Sequence, residues 1–175
     1  MTIIAEDGTG LSTAESYCSV AEATTYFSNV GDAAWAALAS DAVREQSLRK
    51  AVAFMLGRYR ARWAGFRKTT TQALDWPRSL VPIKDAPNRY GNSASYYDDA
   101  SVPAAVKNAC ASLALRAASA ELLADQSRTK KSVTVGPITT VYDDVAGQAV
   151  IYSEIDAMLS PYFKNSGNQV AVVRA

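Results

Sequence analysis

The feature that most constrains the fold is an apolar stripe that runs through residues 41–63. Its members recur at spacings of four and three, which places them on one face of an α-helix. They are Leu48, Val52, Met55, Tyr59 and Trp63. Ser40 and Asp41 supply the polar start that helix N-termini favour. We therefore predict a long amphipathic helix from Asp41 to about Trp63, packed through this stripe onto a core.

Two shorter helices are predicted before it. Ser19 and Glu22 have the spacing of a capping box, in which each side chain accepts a hydrogen bond from the backbone of the other residue. This pattern predicts a helix that begins after Ser19. After a break at Gly31, Asp32 can cap a short helix over residues 33–40.

Two further helices are predicted after it. Pro103 suits the first turn of a helix over 103–124, because its missing N–H costs nothing there. A last helix runs over 153–163, and Pro161 should break or shorten its final turn. The predicted fold class is therefore mainly α, a small bundle of about four to five helices.

Residues 64–102 form a long central loop without a helical or strand pattern. Connections of this length are uncommon in compact domains and are usually functional or ordered by a partner. Pro77 biases Trp76 towards an extended conformation, so Leu74 and Trp76 should share one face that anchors the loop on the helices. Arg78 should then point at a neighbouring subunit or another partner. Three tyrosines are predicted to contact the same partner: Tyr90, Tyr96 and Tyr97.

A short β-hairpin arm is predicted over residues 131–143. Its apolar residues are β-branched, which favours strands, and Gly136-Pro137 separates them into two runs. They are Val133, Val135, Ile138 and Val141.

The C-terminal residues read as an extended tail. At 175 residues the chain is long enough for one domain with a core of its own, which we place at 1–163, with 164–175 as the tail. The tail's strand-like residues could add a strand to a partner's sheet. They are Gln169, Val170, Ala171, Val172, Val173 and Arg174.

The amino-acid composition excludes several classes of catalytic and metal site. The chain has no histidine, which removes Ser-His-Asp and Cys-His nucleophiles and the common zinc sites that include histidine. We therefore predict no enzyme activity, no cofactor and no metal. Cys18 and Cys110 lie far apart and are interpreted as reduced packing residues. No apolar run is long enough to span a membrane, and we expect no secretory signal.

The N-terminal stretch over residues 8–16 contains glycines but lacks the lysine and the preceding strand of a phosphate-binding loop. We predict a flexible arm there.

The net charge of +1 gives the chain no general attraction to nucleic acid, so any contact with DNA must depend on a local cluster of cations. Two stretches of the sequence contain such clusters. The first contains Arg128, Lys130 and Lys131. It is either a solvated helix end or, if subunits form a ring, part of a positive belt facing DNA. The second, over 57–68, alternates cations with Tyr59, Trp63 and Phe66. Such interleaving suits single-stranded DNA, although Tyr59 and Trp63 also complete the helix stripe and should be buried.

Several segments resemble one known family when they are taken in order. They are SYCSVAEATTYF, AAWAAL, QALDWPR, VPAAVKNACASLAL, KKSVTVGPITTVYDD and IDAMLSPYF. From about Ser16 to Phe163 the chain is similar to the head–tail adaptor (connector) proteins of tailed bacteriophages. One branch of that group carries the label DnaT-like single-stranded-DNA-binding protein. The C-terminal tail lies outside the resemblance.

The resemblance implies a virion protein of the head–tail neck that is assembled in the host cytoplasm. Its helical domains would form a ring, as a dodecamer, below the portal and extend the channel through which double-stranded DNA passes. The partners implied are the portal protein, the next neck or tail connector, and further copies of the same chain. We add the hypothesis that the tail docks on the portal. The alternative function is that of a replication accessory protein that binds single-stranded DNA.

Overall fold

The computed structural model describes residues 2–86, 95–123 and 151–164 in full, together with the backbone of 132–135 and 138–141. Four α-helices, a 3-10 turn and two small antiparallel ladders make up its regular structure. In chain order they are α1 (Val20–Val30), α2 (Asp41–Tyr59), β1 (Phe66–Arg67), β2 (Arg78–Ser79), α3 (Ala104–Ser119), β3 (Ser132–Val135), β4 (Ile138–Val141), α4 (Ser153–Leu159) and the 3-10 turn (Ser160–Tyr162). The predicted fold class, a small and mainly helical domain with a β-hairpin, is confirmed.

The start of α1 has the predicted capping box. The Ser19 hydroxyl accepts a hydrogen bond from the backbone N–H of Glu22, and the Glu22 carboxylate accepts one from the backbone N–H of Ser19 at 2.8 Å. Gly31 ends the helix in the left-handed conformation, with φ 75°. Lys107 of α3 donates to the same glutamate, so the cap also ties α1 to α3.

Helix α2 begins where predicted and ends earlier. Ser40 caps it, but the helix stops at Tyr59 rather than at Trp63. The helix ends there because the residues after Tyr59 pair with the segment around the 3-10 turn. The backbone N–H of Ala64 donates to the carbonyl oxygen of Tyr162, and the backbone N–H of Lys164 donates to that of Arg62.

The apolar stripe of α2 is nevertheless buried in full, including Trp63 beyond the helix end. It packs mainly against α3, and these two helices form the largest helix–helix contact. Helix α3 ends at Ser119, short of the predicted 124, because Ala120 takes an extended conformation.

The helix predicted over 33–40 is absent, and this prediction was wrong. The residues form turns instead, and the Asp32 carboxylate accepts a hydrogen bond from the N–H of Ala34 at 2.8 Å. The Trp35 ring is buried and stacks on Phe27, with their centroids 5.2 Å apart. Burial of this large side chain helps to fix the segment, in which the N–H of Ala37 donates to the carbonyl oxygen of Ala33 and closes a single turn rather than a helix.

The N-terminal stretch is packed rather than a flexible arm, so that prediction was also wrong. The buried Glu6 carboxylate accepts hydrogen bonds from the backbone N–H groups of Gly8, Gly10 and Leu11 at 2.8–3.0 Å. Arg49 of α2 holds the end of the stretch through Glu15, whose pKa is lowered by the hydrogen bond from that guanidinium. The stretch therefore belongs to the folded domain.

The hairpin and the last helix agree with the prediction. Strands β3 and β4 pair antiparallel, with Ser132 opposite Val141 and Val135 opposite Ile138. Helix α4 ends at Leu159, and the 3-10 turn that contains Pro161 follows it. Tyr90, the basic run with Arg128, Lys130 and Lys131, and the tail residues 169–174 lie outside the described residues.

We predict that Gly65→Ala destabilises the domain much more than Gly31→Ala. Both glycines have positive φ, so each substitution should cost about 1 kcal/mol in backbone strain. At Gly65, however, an added Cβ would lie 2.3 Å from the carbonyl oxygen of Ser79. At Gly31, no atom of the described residues lies within 4 Å of it. Urea unfolding of both variants measures the difference, and equal losses would contradict the close β1–β2 approach.

Candidate nucleic-acid interface

Trp76 anchors the central loop, as predicted. Its side chain is buried together with Leu74, and it makes edge-on contacts with Trp63 at 5.7 Å and with Tyr162 at 5.5 Å between ring centroids. The Trp76–Pro77 peptide bond is cis. The loop is thereby fixed against the end of α2 and the 3-10 turn.

Arg78 does not point at a partner, and the sequence-based prediction for it was wrong. Its guanidinium is buried and donates hydrogen bonds to the carbonyl oxygens of Ala64 and Gly65, both at 2.7 Å, and of Asp75 at 3.2 Å. Burial lowers the pKa of Arg78, but an arginine side chain stays charged inside proteins. The inward orientation gives these carbonyl oxygens the hydrogen-bond donors that buried backbone groups require.

The tyrosines of the loop divide into two roles. Tyr97 packs against Tyr162, with ring centroids 4.8 Å apart, and is half-buried. Tyr96 forms an isolated antiparallel β-bridge with Pro82 through its backbone, and the residue is 48% exposed. Only Tyr96 of this pair is therefore placed to meet a partner.

Gln72 organises the loop, and the sequence analysis did not single it out. Its buried amide nitrogen donates to the carbonyl oxygens of Leu74 and Pro77, and its Oε1 accepts from the N–H of Thr69 at 2.8 Å. A glutamine that follows three threonines gives little warning of such a role, because its partners depend on how the loop folds back.

Seven cationic side chains surround the end of α2, the β1 strand and the segment that follows α4. We call this surface the cationic end. Its members are Arg58, Arg60, Arg62, Arg67, Lys68, Lys84 and Lys164. Hydrogen bonds bring the distant ones together: Lys164 donates to the carbonyl oxygen of Ala61, and Lys84 to that of Ser160.

Two of these cations are neutralised by carboxylates. Arg60 pairs with Asp75 at 2.9 Å, and Arg62 with Asp156 at 2.8 Å. The guanidinium of Arg62 also lies 4.1 Å from the centre of the Phe163 ring. Within the described part of the chain, the other five have no carboxylate within 4 Å, so the surface carries a local positive excess.

One aromatic residue of the basic stretch 57–68 remains accessible. Tyr59 and Trp63 are buried, as the helix stripe predicted, whereas Phe66 on β1 is 70% exposed. Arg67 and Lys68 follow it directly. Strand β1 pairs with β2, with Phe66 opposite Ser79, so the exposed ring stands on a paired segment.

Other classes of site have no support in the described residues. They contain no group of three or more histidine, cysteine or acidic side chains that could hold a metal ion. No helix among them is long and apolar enough to cross a bilayer.

The fold and this surface define a small, mainly helical domain with a basic end. The model of the family described as "Putative DnaT-like ssDNA binding protein" matches residues 1–175, and the chain belongs to this family. The match includes the C-terminal tail that the resemblance of single segments left out. Neither the curated proteins nor the solved structures contain a match.

We predict that Arg78→Met and Arg67→Met differ sharply in stability, although the two arginines face each other in the β1–β2 ladder. Arg78→Met leaves buried carbonyl oxygens without donors and should cost about 3 kcal/mol. Arg67 is exposed, so its substitution should cost less than about 0.5 kcal/mol. Thermal and urea unfolding measure both, and a stable Arg78→Met variant would contradict the structural role.

Proposed function

We propose that this protein binds single-stranded DNA through the cationic end. The observation that carries the proposal is the exposed Phe66 ring, which stands beside Arg67 and Lys68 on the same strand and loop. Proteins of this kind combine cations that follow the phosphate backbone with aromatic rings on which bases stack. The family to which the chain belongs supports the same function.

Electrostatics support the location. The chain as a whole has a net charge of +1, so it attracts DNA only where its cations are concentrated. Lys68 and Lys164 donate to the backbone carbonyl oxygens of Gly8 and Ala61, and among the described residues neither has a carboxylate within 4 Å to compensate its charge. Phosphate groups of a strand would supply that compensation and release counterions.

Phe66 favours a single strand over a duplex. The bases of a duplex are stacked on each other, whereas those of a single strand can stack on a protein ring, with about 1–3 kcal/mol for each base. Burial of Tyr59 and Trp63 leaves Phe66 as the aromatic of this stretch that can do so, and Tyr96 is the next exposed ring among the residues that the structure describes.

We predict that the purified protein binds a single-stranded oligonucleotide in low salt and that the affinity falls as salt increases. Phe66→Ala should weaken binding of the single strand about tenfold and leave the salt dependence unchanged. Arg67→Gln with Lys68→Gln should reduce the slope of log affinity against log salt by about 1 to 2.

The matched controls lie elsewhere on the surface. Leu123 is an exposed apolar residue at the end of α3, and Lys50 is an exposed cation on α2. Leu123→Ala and Lys50→Gln should both bind like the wild type in fluorescence anisotropy. The proposal fails if the wild-type protein does not bind, or if the control variants lose as much affinity as the others.

The second candidate function is that of a head–tail adaptor that forms a ring below a portal and joins it to the next connector. The observation that favours it is a second exposed apolar surface, formed by Leu80 and Tyr96, of which Leu80 is 56% exposed. Asp98 and Asp99, also exposed, lie beside it in the chain and would repel DNA phosphates. A protein partner suits this surface better than nucleic acid does.

If the protein is a head–tail adaptor, its partners and its location follow from that role. The partners would be further copies of the chain, a portal protein and a downstream connector, with double-stranded DNA in the channel, in a virion neck. Among the described residues neither outer edge of the β3–β4 hairpin pairs with a further strand, so its backbone groups could add to a partner's sheet.

We predict for this candidate that the protein forms rings, alone or with portal protein. Leu80→Asp should then reduce ring formation, while Leu123→Asp, at an apolar residue of similar exposure, should not. Native mass spectrometry and negative-stain images measure the outcome. A protein that stays monomeric with portal, and still binds single-stranded DNA, would leave only the first candidate.

A further inference from the structure

We infer that Arg60 and Arg67 form a phosphate-binding pair for a nucleic-acid strand, in which the buried carboxylate of Asp75 orients the Arg60 guanidinium. This inference rests on the proposed binding of single-stranded DNA and assigns the residues that hold its backbone. Asp75 acts as a positioning residue, since its own atoms would not touch the ligand.

The geometry of Arg60 leaves its outer edge available. The Nε–H donates to Oδ1 of Asp75 at 2.9 Å, while the Arg60 side chain is 55% exposed and that of Asp75 only 1% exposed. Neither Nη1 nor Nη2 has a hydrogen-bond partner among the described residues. A guanidinium held through Nε presents both Nη groups in one plane, which is the arrangement that binds two phosphate oxygens together.

Asp75 is itself fixed from several sides. Its backbone N–H donates to the Tyr17 hydroxyl at 3.1 Å, and its carbonyl oxygen accepts from Arg78 at 3.2 Å. The residues on either side of it in the chain, Leu74 and Trp76, are buried. The carboxylate therefore has little freedom to move, and neither does the nitrogen that it holds.

Burial lowers the pKa of Arg78 and the nearby Asp75 carboxylate opposes that shift, so the charge at position 75 serves the loop as well as Arg60. Burying a carboxylate is nevertheless costly, and its Oδ2 has no hydrogen-bond partner in the described part of the chain. The buried carboxylate of Asp75 also has a use in binding if it keeps the exposed guanidinium of Arg60 in one orientation for an anion.

Arg67 is attached to the same loop. Its Nη1 donates to the carbonyl oxygen of Gln72 at 3.4 Å, three residues before Asp75 in the chain. Residues 72–75 thus hold two exposed guanidinium groups, and Phe66 adjoins one of them. Arg116, outside the cationic end, is also partly exposed and pairs with the carboxylate of Glu154, so it is the matched control.

The experiment compares arginine-to-lysine substitutions at two positions, with a thymidine oligonucleotide as the probe in anisotropy titrations. Arg60→Lys keeps the charge, but an ammonium that pairs with Asp75 has no second edge for phosphate, so affinity should fall about tenfold. Arg116→Lys, at an arginine outside the cationic end that also pairs with a carboxylate, should change it less than about twofold. Asp75→Asn should weaken binding about threefold or more with the same salt dependence, because the cation is retained but its hydrogen bond to position 75 loses the charge that strengthens it.

Circular dichroism and unfolding confirm that each variant is folded at the temperature of the titration. The Arg60 side-chain Nε–H resonance in NMR provides a readout without DNA. It should be protected from exchange in the wild type and lose that protection in Asp75→Asn. Phosphate-only contact is tested with an abasic oligonucleotide, against which Arg60→Lys should still show its loss while Phe66→Ala should not.

The outcomes separate the two claims. If the wild type binds and Arg60→Lys binds equally well, the Arg60 assignment is wrong while the proposed function stands. If Asp75→Asn binds like the wild type, the positioning role of Asp75 is wrong. If the wild type binds no oligonucleotide even in low salt, the proposed function itself fails and the assignment with it.

Discussion

The buried guanidinium of Arg78 is the interaction on which the central loop depends. It joins the chain after α2, through Ala64 and Gly65, to the turn at Asp75 with three hydrogen bonds. A charged donor inside a protein is stable only when its N–H groups are satisfied, so the loop cannot open without exposing a buried charge. This constraint helps to give residues 64–86, which include β1 and β2, a defined conformation, with Phe66 exposed and Asp75 paired with Arg60.

Aromatic packing supplies the second support. Trp63 and Trp76 meet edge to face, and Phe163 and Tyr162 complete the cluster from the end of α4. Both indole N–H groups lack a partner in the described residues, so their contribution is packing rather than hydrogen bonding. The cluster explains why α2 stops at Tyr59: burial of Trp63 against the 3-10 turn and Phe163 outweighs the helical hydrogen bonds of one further turn.

The sequence was a good guide where local periodicity decides the outcome. The apolar stripe of α2, the Ser19 capping box and the break at Pro161 are all local patterns, and the stripe correctly removed Tyr59 and Trp63 from the possible DNA contacts. It failed where side chains bond to the backbone of irregular segments. Arg78 bonds to Ala64 and Gly65, which come before β1 in the chain. Glu6 and Gln72 bond to groups within five residues of themselves, but in loops whose conformation no periodic pattern predicts. Asp75 did carry a signal, since an acid between Leu74 and Trp76 in a buried anchor requires a cationic partner.

The same loop presents two surfaces of different chemistry on successive segments. The β1 side carries Phe66 next to Arg67, whereas the segment after β2 carries Leu80 and, opposite Pro82, Tyr96 with Asp98 nearby. Leu80 has φ 58°, which strains the backbone of a leucine, and its exposed side chain makes no buried apolar contact among the described residues that would offset this strain. A charged phosphate backbone would not bury such an apolar side chain. The two candidate functions therefore depend on different residues of one loop, Phe66 and Arg67 for a DNA strand and Leu80 for a protein neighbour, although Leu80 directly follows the residue that pairs with Phe66.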